Sequence, residues 1–158
     1  MSLRGLYNQL HEYRDQVGYW QNSANIYAGR LNEATAQLQH LQEQLAKAQD
    51  VLSKCNQLPA QEADLEGKVV MIASRLATCL DEPAATPAVQ KIYENNGTHI
   101  QNSINACNAL IADLESKIAE KNSYIAQTNA DIAYSNNMAA KYQGYANSTQ
   151  RSINNYHE

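Results

Sequence analysis

An apolar repeat running from Leu3 to Cys55 constrains this chain more than any other feature. With Leu3 placed at position a of a heptad, the a row reads Leu3, Leu10, Val17, Ala24, Leu31, Leu38, Leu45 and Leu52. The d row reads Leu6, Tyr13, Trp20, Tyr27, Ala34, Leu41, Ala48 and Cys55. No charged or amide side chain interrupts either row. A 3.5-residue repeat held for about eight heptads specifies a long helix packed left-handedly on another helix. At about 1.5 Å per residue this helix would be on the order of 80 Å long. A single apolar seam is not stable in water by itself, so the helix requires a partner.

The breakers that follow are few: Pro59, Pro83 and Pro87. Ser2 is suited to cap the first helix, which the pattern extends to about Gln57. Pro59 removes a backbone donor and biases Leu58 away from helix, so a break or kink is expected there. A second helical stretch follows from about Ala60 to Leu80. Its apolar positions, Leu65, Val69, Ile72, Leu76 and Cys79, lie one residue out of phase with the first helix. The segment Asp81–Pro87, DEPAATP, is a turn, with Thr86-Pro87 reading as a cap and first helical position. A third helix extends from Pro87 to about Tyr156, with a kink or short turn expected at Asn95-Asn96-Gly97-Thr98.

The third helix carries its own ruler. Ile104, Ile111, Ile118, Ile125 and Ile132 recur every seven residues, and Ala139, Ala146 and Ile153 continue the row. Its d row is Ile100, Cys107, Leu114, Lys121, Thr128, Ser135 and Tyr142, polar in the middle. Leu110, Tyr124, Met138 and Tyr145 flank it at g. The expected fold is therefore all-α and single-domain over residues 1–158. It is an elongated antiparallel helical hairpin, or coiled coil, with a kink near Pro59 and a turn near 81–87. Equal arms about the turn predict that residue numbers across the seam add to roughly 162–170, with Cys55 near Cys107. A three-helix arrangement, in which Ala60–Leu80 folds back on the first helix, is the alternative. It is disfavoured by the shortness of any connection at Pro59.

Composition bounds the function. Charged residues are 18% of the chain and the net charge is −4, so no basic face is available to neutralise phosphates, and nucleic acid is not an expected partner. The start, MSLRGLYNQLHEYRD, lacks the apolar core of a signal peptide, and no apolar run approaches the ~18 residues of a membrane span. A cytoplasmic protein without membrane insertion is expected; export by a signal-peptide-independent route that reads a folded helical shape stays open. The three cysteines, Cys55, Cys79 and Cys107, read as reduced, small hydrophobes, with a Cys55–Cys107 disulfide as the minority alternative. His11, His40, His99 and His157 have no second ligand at metal spacing. There is no phosphate loop and no nucleophile motif. Neither an enzyme nor a cofactor or metal site is expected.

The features that suggest a partner are flanks and aromatics. Asn and Gln make up roughly a fifth of the chain, and the e and g rows of the first helix are nearly free of charge. Such flanks are covered by further helices with less desolvation cost than charged ones. Tyr19, Trp20, Ile26 and Tyr27 lie in the first half of the first helix; Tyr134, Tyr142 and Tyr145 lie in the last part of the third. An antiparallel hairpin brings these sets together. Tyr19, Ile26 and Tyr134 fall off the seam, where exposed aromatics serve as interface anchors. These seven residues are the candidate partner-binding surface.

The start MSLRGLYNQLHEYRD, the amide-rich first helix and the segment IQNSINACNALIADLESKIAEKNSYIAQTNADI resemble the small helical-hairpin proteins of Gram-positive type VII secretion. That group includes the WXG-type proteins and the longer hairpins that pair with LXG toxins. The resemblance covers most of the chain in architecture and texture. It implies a non-catalytic export substrate or chaperone-like partner. The chain departs from the pattern at two points. Trp20 is followed by Gln21-Asn22 within a helix rather than by a Trp-x-Gly turn. Tyr142 and Tyr145 have no acidic residue four positions later. The function expected is a non-enzymatic helical binding module: an adaptor, targeting or chaperone-like partner of another helical protein, such as an LXG-type toxin. The alternative is a self-assembling structural coiled coil, such as a homodimeric spacer or a phage or cytoskeletal element.

Overall fold

The computed structural model describes residues 2–80 and 85–156, with side chains throughout these ranges except at 73, 76–80 and 85–90. It holds two helices packed against each other in a hairpin, α1 (Leu3–Leu80) and α2 (Ala85–Tyr156), and no strand among the described residues. Ser2 caps α1: its Oγ accepts a hydrogen bond from the Gly5 amide at 3.2 Å. The expected turn at 81–87 falls on residues 81–84, outside the described residues, and on the start of α2, which begins two residues before Pro87.

Neither expected site ends a helix. Pro59 lies inside α1, which runs unbroken across it. Asn95–Thr98 lies inside α2, and the Thr98 hydroxyl donates to the Glu94 carbonyl one turn back instead of capping a new helix. An interior proline forfeits one backbone hydrogen bond, a cost of about 3 kcal/mol. Half-buried Leu52 and Cys55 before it, and Val69 after it, supply the packing that offsets this loss. The chain thus forms two helices, not three, and the alternative in which 60–80 folds back is excluded.

Continuity of α1 also overturns the expected change of packing face. An unbroken helix turns by a fixed angle per residue, so the phase set at Leu3 is carried past Pro59. Glu62, Glu66 and Val69 continue the a and d rows and are half-buried. Leu65 and Ile72, expected on the seam, are instead exposed.

The contacts divide the chain into two units, each built from antiparallel pieces of both helices: Met1–Gln39 with Ala119–Glu158, and His40–Ile118. The first unit is centred on Leu6, Leu10, Ala146 and Ile153, with Leu3 and Tyr13 packed against them. Here the ring of Tyr13 meets that of Tyr142, Trp20 meets Tyr134, and Lys121 Nζ donates to Gln37 Oε1 at 2.7 Å. The residue numbers of these pairs add to 154–158. In the second unit, Ala48 and Cys107 line one groove and Glu62 and Tyr93 another.

This register is about one heptad away from the one expected from equal arms. Side-chain size explains the choice. Seven-residue steps from Tyr13–Tyr142 place Ser135 level with Trp20, and Thr128 level with Tyr27. Ser135 and Thr128 are only 1% and 3% exposed. The polar middle of the α2 seam is therefore not a solvated gap. Its small side chains are buried where large aromatics occupy the space, and Thr128 Oγ1 is satisfied by the Tyr124 carbonyl at 2.8 Å.

The register also separates the cysteines. Cys55 and Cys107 are both free and half-buried; Cys79 lies among residues whose side chains are not described. One heptad along a helix is about 10 Å, beyond the ~7 Å Cα separation that a disulfide spans. We therefore expect oxidation to leave Cys55 and Cys107 unlinked within a chain. Ala48→Cys should form an intrachain disulfide with Cys107, read by non-reducing electrophoresis and peptide mapping. A native Cys55–Cys107 link would show the equal-arm register instead.

Candidate partner-binding surface

The aromatic residues of the first unit separate into two groups. Trp20 sits at a d position and is half-buried. Tyr19 and Tyr134 stand beside it edge-to-face, with ring centroids at 5.1 and 5.5 Å and interplanar angles of 84° and 83°. Both tyrosines project to solvent, 61% and 57% exposed, although each belongs to a ring contact. The heptad explains the arrangement. Tyr19 and Tyr134 both occupy c, one position off their own seams, and the register brings those positions to the same level as Trp20. Edge-to-face pairs contribute about 0.5–1.5 kcal/mol each beyond their burial, so the three rings hold one another in place.

The second group is Tyr13, Tyr142 and Tyr145, with centroids 5.4–6.2 Å apart. Tyr13 and Tyr142 are half-buried seam residues; Tyr145 is 44% exposed, with Lys141 Nζ 5.9 Å from its ring centroid. Tyr13 belongs to this group although its place on the seam gave no sign of surface exposure. Ile26 is exposed and makes no ring contact, and Tyr27 is half-buried with the Arg30 guanidinium 5.6 Å from its ring centroid. Of the seven candidate residues, the structure gathers Tyr19, Trp20 and Tyr134 into one platform. It places Tyr142 and Tyr145 in another and leaves Ile26 and Tyr27 apart from both.

Trp20 carries one unmet demand. Its Nε1 is buried and has no hydrogen-bond partner. Leaving such a donor unpaired costs about 1–3 kcal/mol, so the indole is retained at this position against its polar preference. Packing of the ring against Tyr19 and Tyr134 is what favours it.

The second unit has a different surface, which the sequence reading did not single out. Val51, Leu58, Leu65 and Ile72 lie at successive g positions of α1, seven residues apart, and all are exposed. Two grooves follow this row. One, of about 430 Å³, is lined by Leu58 and Leu65 from α1 and by Tyr93 and Ile100 from α2. The other, of about 460 Å³, is lined by Val51 and Leu110 among others. Three lysines in and beside the grooves are paired in-chain, Lys54 with Asp50, Lys68 with Asp64 and Lys117 with Asp113, each at 2.7 Å, while Lys47 also lines the second groove. The Asp50 hydrogen bond, with the charge of that carboxylate, holds the Lys54 ammonium above its ordinary pKa. The signal was present in the sequence as a fourfold heptad row, but only an unbroken phase across Pro59 reveals it as a flank.

No group of three or more His, Cys, Asp or Glu is positioned to hold a metal ion among the described residues. No described helix is long and apolar enough to cross a membrane. No family model, curated protein or solved structure matches the chain.

Trp20→Phe removes the unpaired donor and keeps an aromatic ring, though a smaller one, at this position. It should leave unfolding free energy within about 1 kcal/mol of the parent chain. Trp20→Ala should lower it by about 2–4 kcal/mol, since both flanking tyrosines lose their packing partner. Urea denaturation followed by far-UV circular dichroism measures both changes.

Proposed function

We propose that this protein is a non-enzymatic helical binding module that docks another helical protein on the platform formed by Tyr19, Trp20 and Tyr134. One observation carries the reading. Two tyrosines stand edge-to-face against a half-buried tryptophan while exposing more than half of their own surface. Rings fixed before binding lose little entropy on contact, and Trp and Tyr dominate the energetics of protein interfaces. The amide-rich, weakly charged flanks around them suit a helix laid alongside. The resemblance to type VII secretion hairpins narrows the proposed partner to an LXG-type toxin and the role to targeting or chaperoning.

Photo-cross-linking in the cells of origin tests this. A benzoylphenylalanine in place of Tyr19 or Tyr134 should give a defined adduct with one other protein. Trp20→Ala should reduce that adduct at least about tenfold, the loss typical of an interface anchor. Adducts formed only with other copies of this chain would instead make it a self-assembling structural coiled coil.

A further inference from the structure

We propose that the second unit binds a second copy of this chain, through the g row Val51, Leu58, Leu65 and Ile72, in an antiparallel pairing. This does not rest on the aromatic platform, which lies in the other unit.

Among the described residues the row has no partner in the chain. Its four side chains are 42–54% exposed, and Leu110, which shares the groove at Val51, is 49% exposed. Packing beneath them is thin. Among the described residues the second unit buries only Ala48 and Leu114, whereas the first buries eleven. The two grooves lie one after the other along the row from Val51 to Leu65, about 21 Å of helix, and exposed Ile72 lies one heptad beyond.

A second copy fits this track in three respects. The first is symmetry. A two-fold axis between Gln61 and Glu62 sets Val51 against Ile72, and Leu58 against Leu65, with no register left over. The second is area. At these fractional exposures the five residues present on the order of 450 Å² of surface per copy, or about 900 Å² for two. With a polar rim in the usual proportion this reaches the ~1,200–2,000 Å² of a stable interface. The third is charge. A surface meeting itself brings like charges together, yet Lys54, Lys68 and Lys117 are each already neutralised by an aspartate of their own helix. Outside these pairs the charged residues lining the grooves are Lys47, far from the axis, and Glu62, which stands beside it and is half-buried at its own chain's seam.

Sedimentation equilibrium of the full chain is the test. The parent chain should be a dimer at micromolar concentration. Leu58→Glu/Leu65→Glu, two changes at exposed positions, should weaken association at least about a hundredfold while helicity by circular dichroism is unchanged. Tyr19→Ala/Tyr134→Ala should leave the dimer intact, which separates this inference from the partner platform. In a chain with its own cysteines replaced by serine, Leu58→Cys/Leu65→Cys should oxidise to a covalent dimer. Neither single cysteine should do so. A parent chain that stays monomeric at tens of micromolar would overturn the proposal and leave the row to a different helical partner. A dimer unaffected by the glutamates, or a dimer linked by Leu58→Cys alone, would overturn it as well.

Discussion

The fixed rotation of an unbroken helix governs what the rest of this structure can do. Each residue of α1 advances the seam by the same angle, and the phase chosen by Leu3, Leu6 and Leu10 is inherited by every residue to Leu80. Pro59 could have released the chain from that inheritance by ending the helix. It does not. It occupies an a position, loses one hydrogen bond, and passes the phase on. Glutamates are thereby drawn toward the seam at 62 and 66, and leucine and isoleucine are turned out at 65 and 72.

The two units meet this constraint differently. In the first, the seam alternates in size: Trp20 is level with Ser135, and Tyr27 with Thr128. Tight packing follows with buried side chains on both helices. Rings too large for the seam spill to its edge, where Tyr19 and Tyr134 brace Trp20. In the second, the apolar content of α1 lies partly on the g flank and not on the seam, so few of the described residues are buried and part of the surface stays apolar. One unit gains stability from its own chain. The other keeps a face whose burial needs a second molecule.

Much of this was legible in the amino-acid sequence. All described side chains of the proposed a and d rows, from Leu3 to Cys55 and from Ile100 to Ile153, are buried or half-buried. Periodicity is a local signal, and helices report it directly. The register was not legible, because arm length says nothing about which side chains fit opposite one another; Ser135 under Trp20 is a long-range match of size. The phase beyond Pro59 was misread for a related reason. Leu65, Val69 and Ile72 form a good seam in isolation, and only the unbroken helix upstream forbids using it. Tyr19, Trp20 and Tyr134 were each visible as candidates, but their union depends on the register. The g row of the second unit was hidden behind the expected change of phase.

The most direct measurement is a thiol-reactivity scan through this region. Single cysteines would be placed at 62, 65, 66, 69 and 72 in a chain lacking its own three, and labelled at nanomolar concentration, where copies are apart. Labelling should be slow at 62, 66 and 69 and fast at 65 and 72. Slow labelling at 65 and 72, with fast labelling at 62 and 66, would show that Pro59 resets the helix and would contradict the inherited phase.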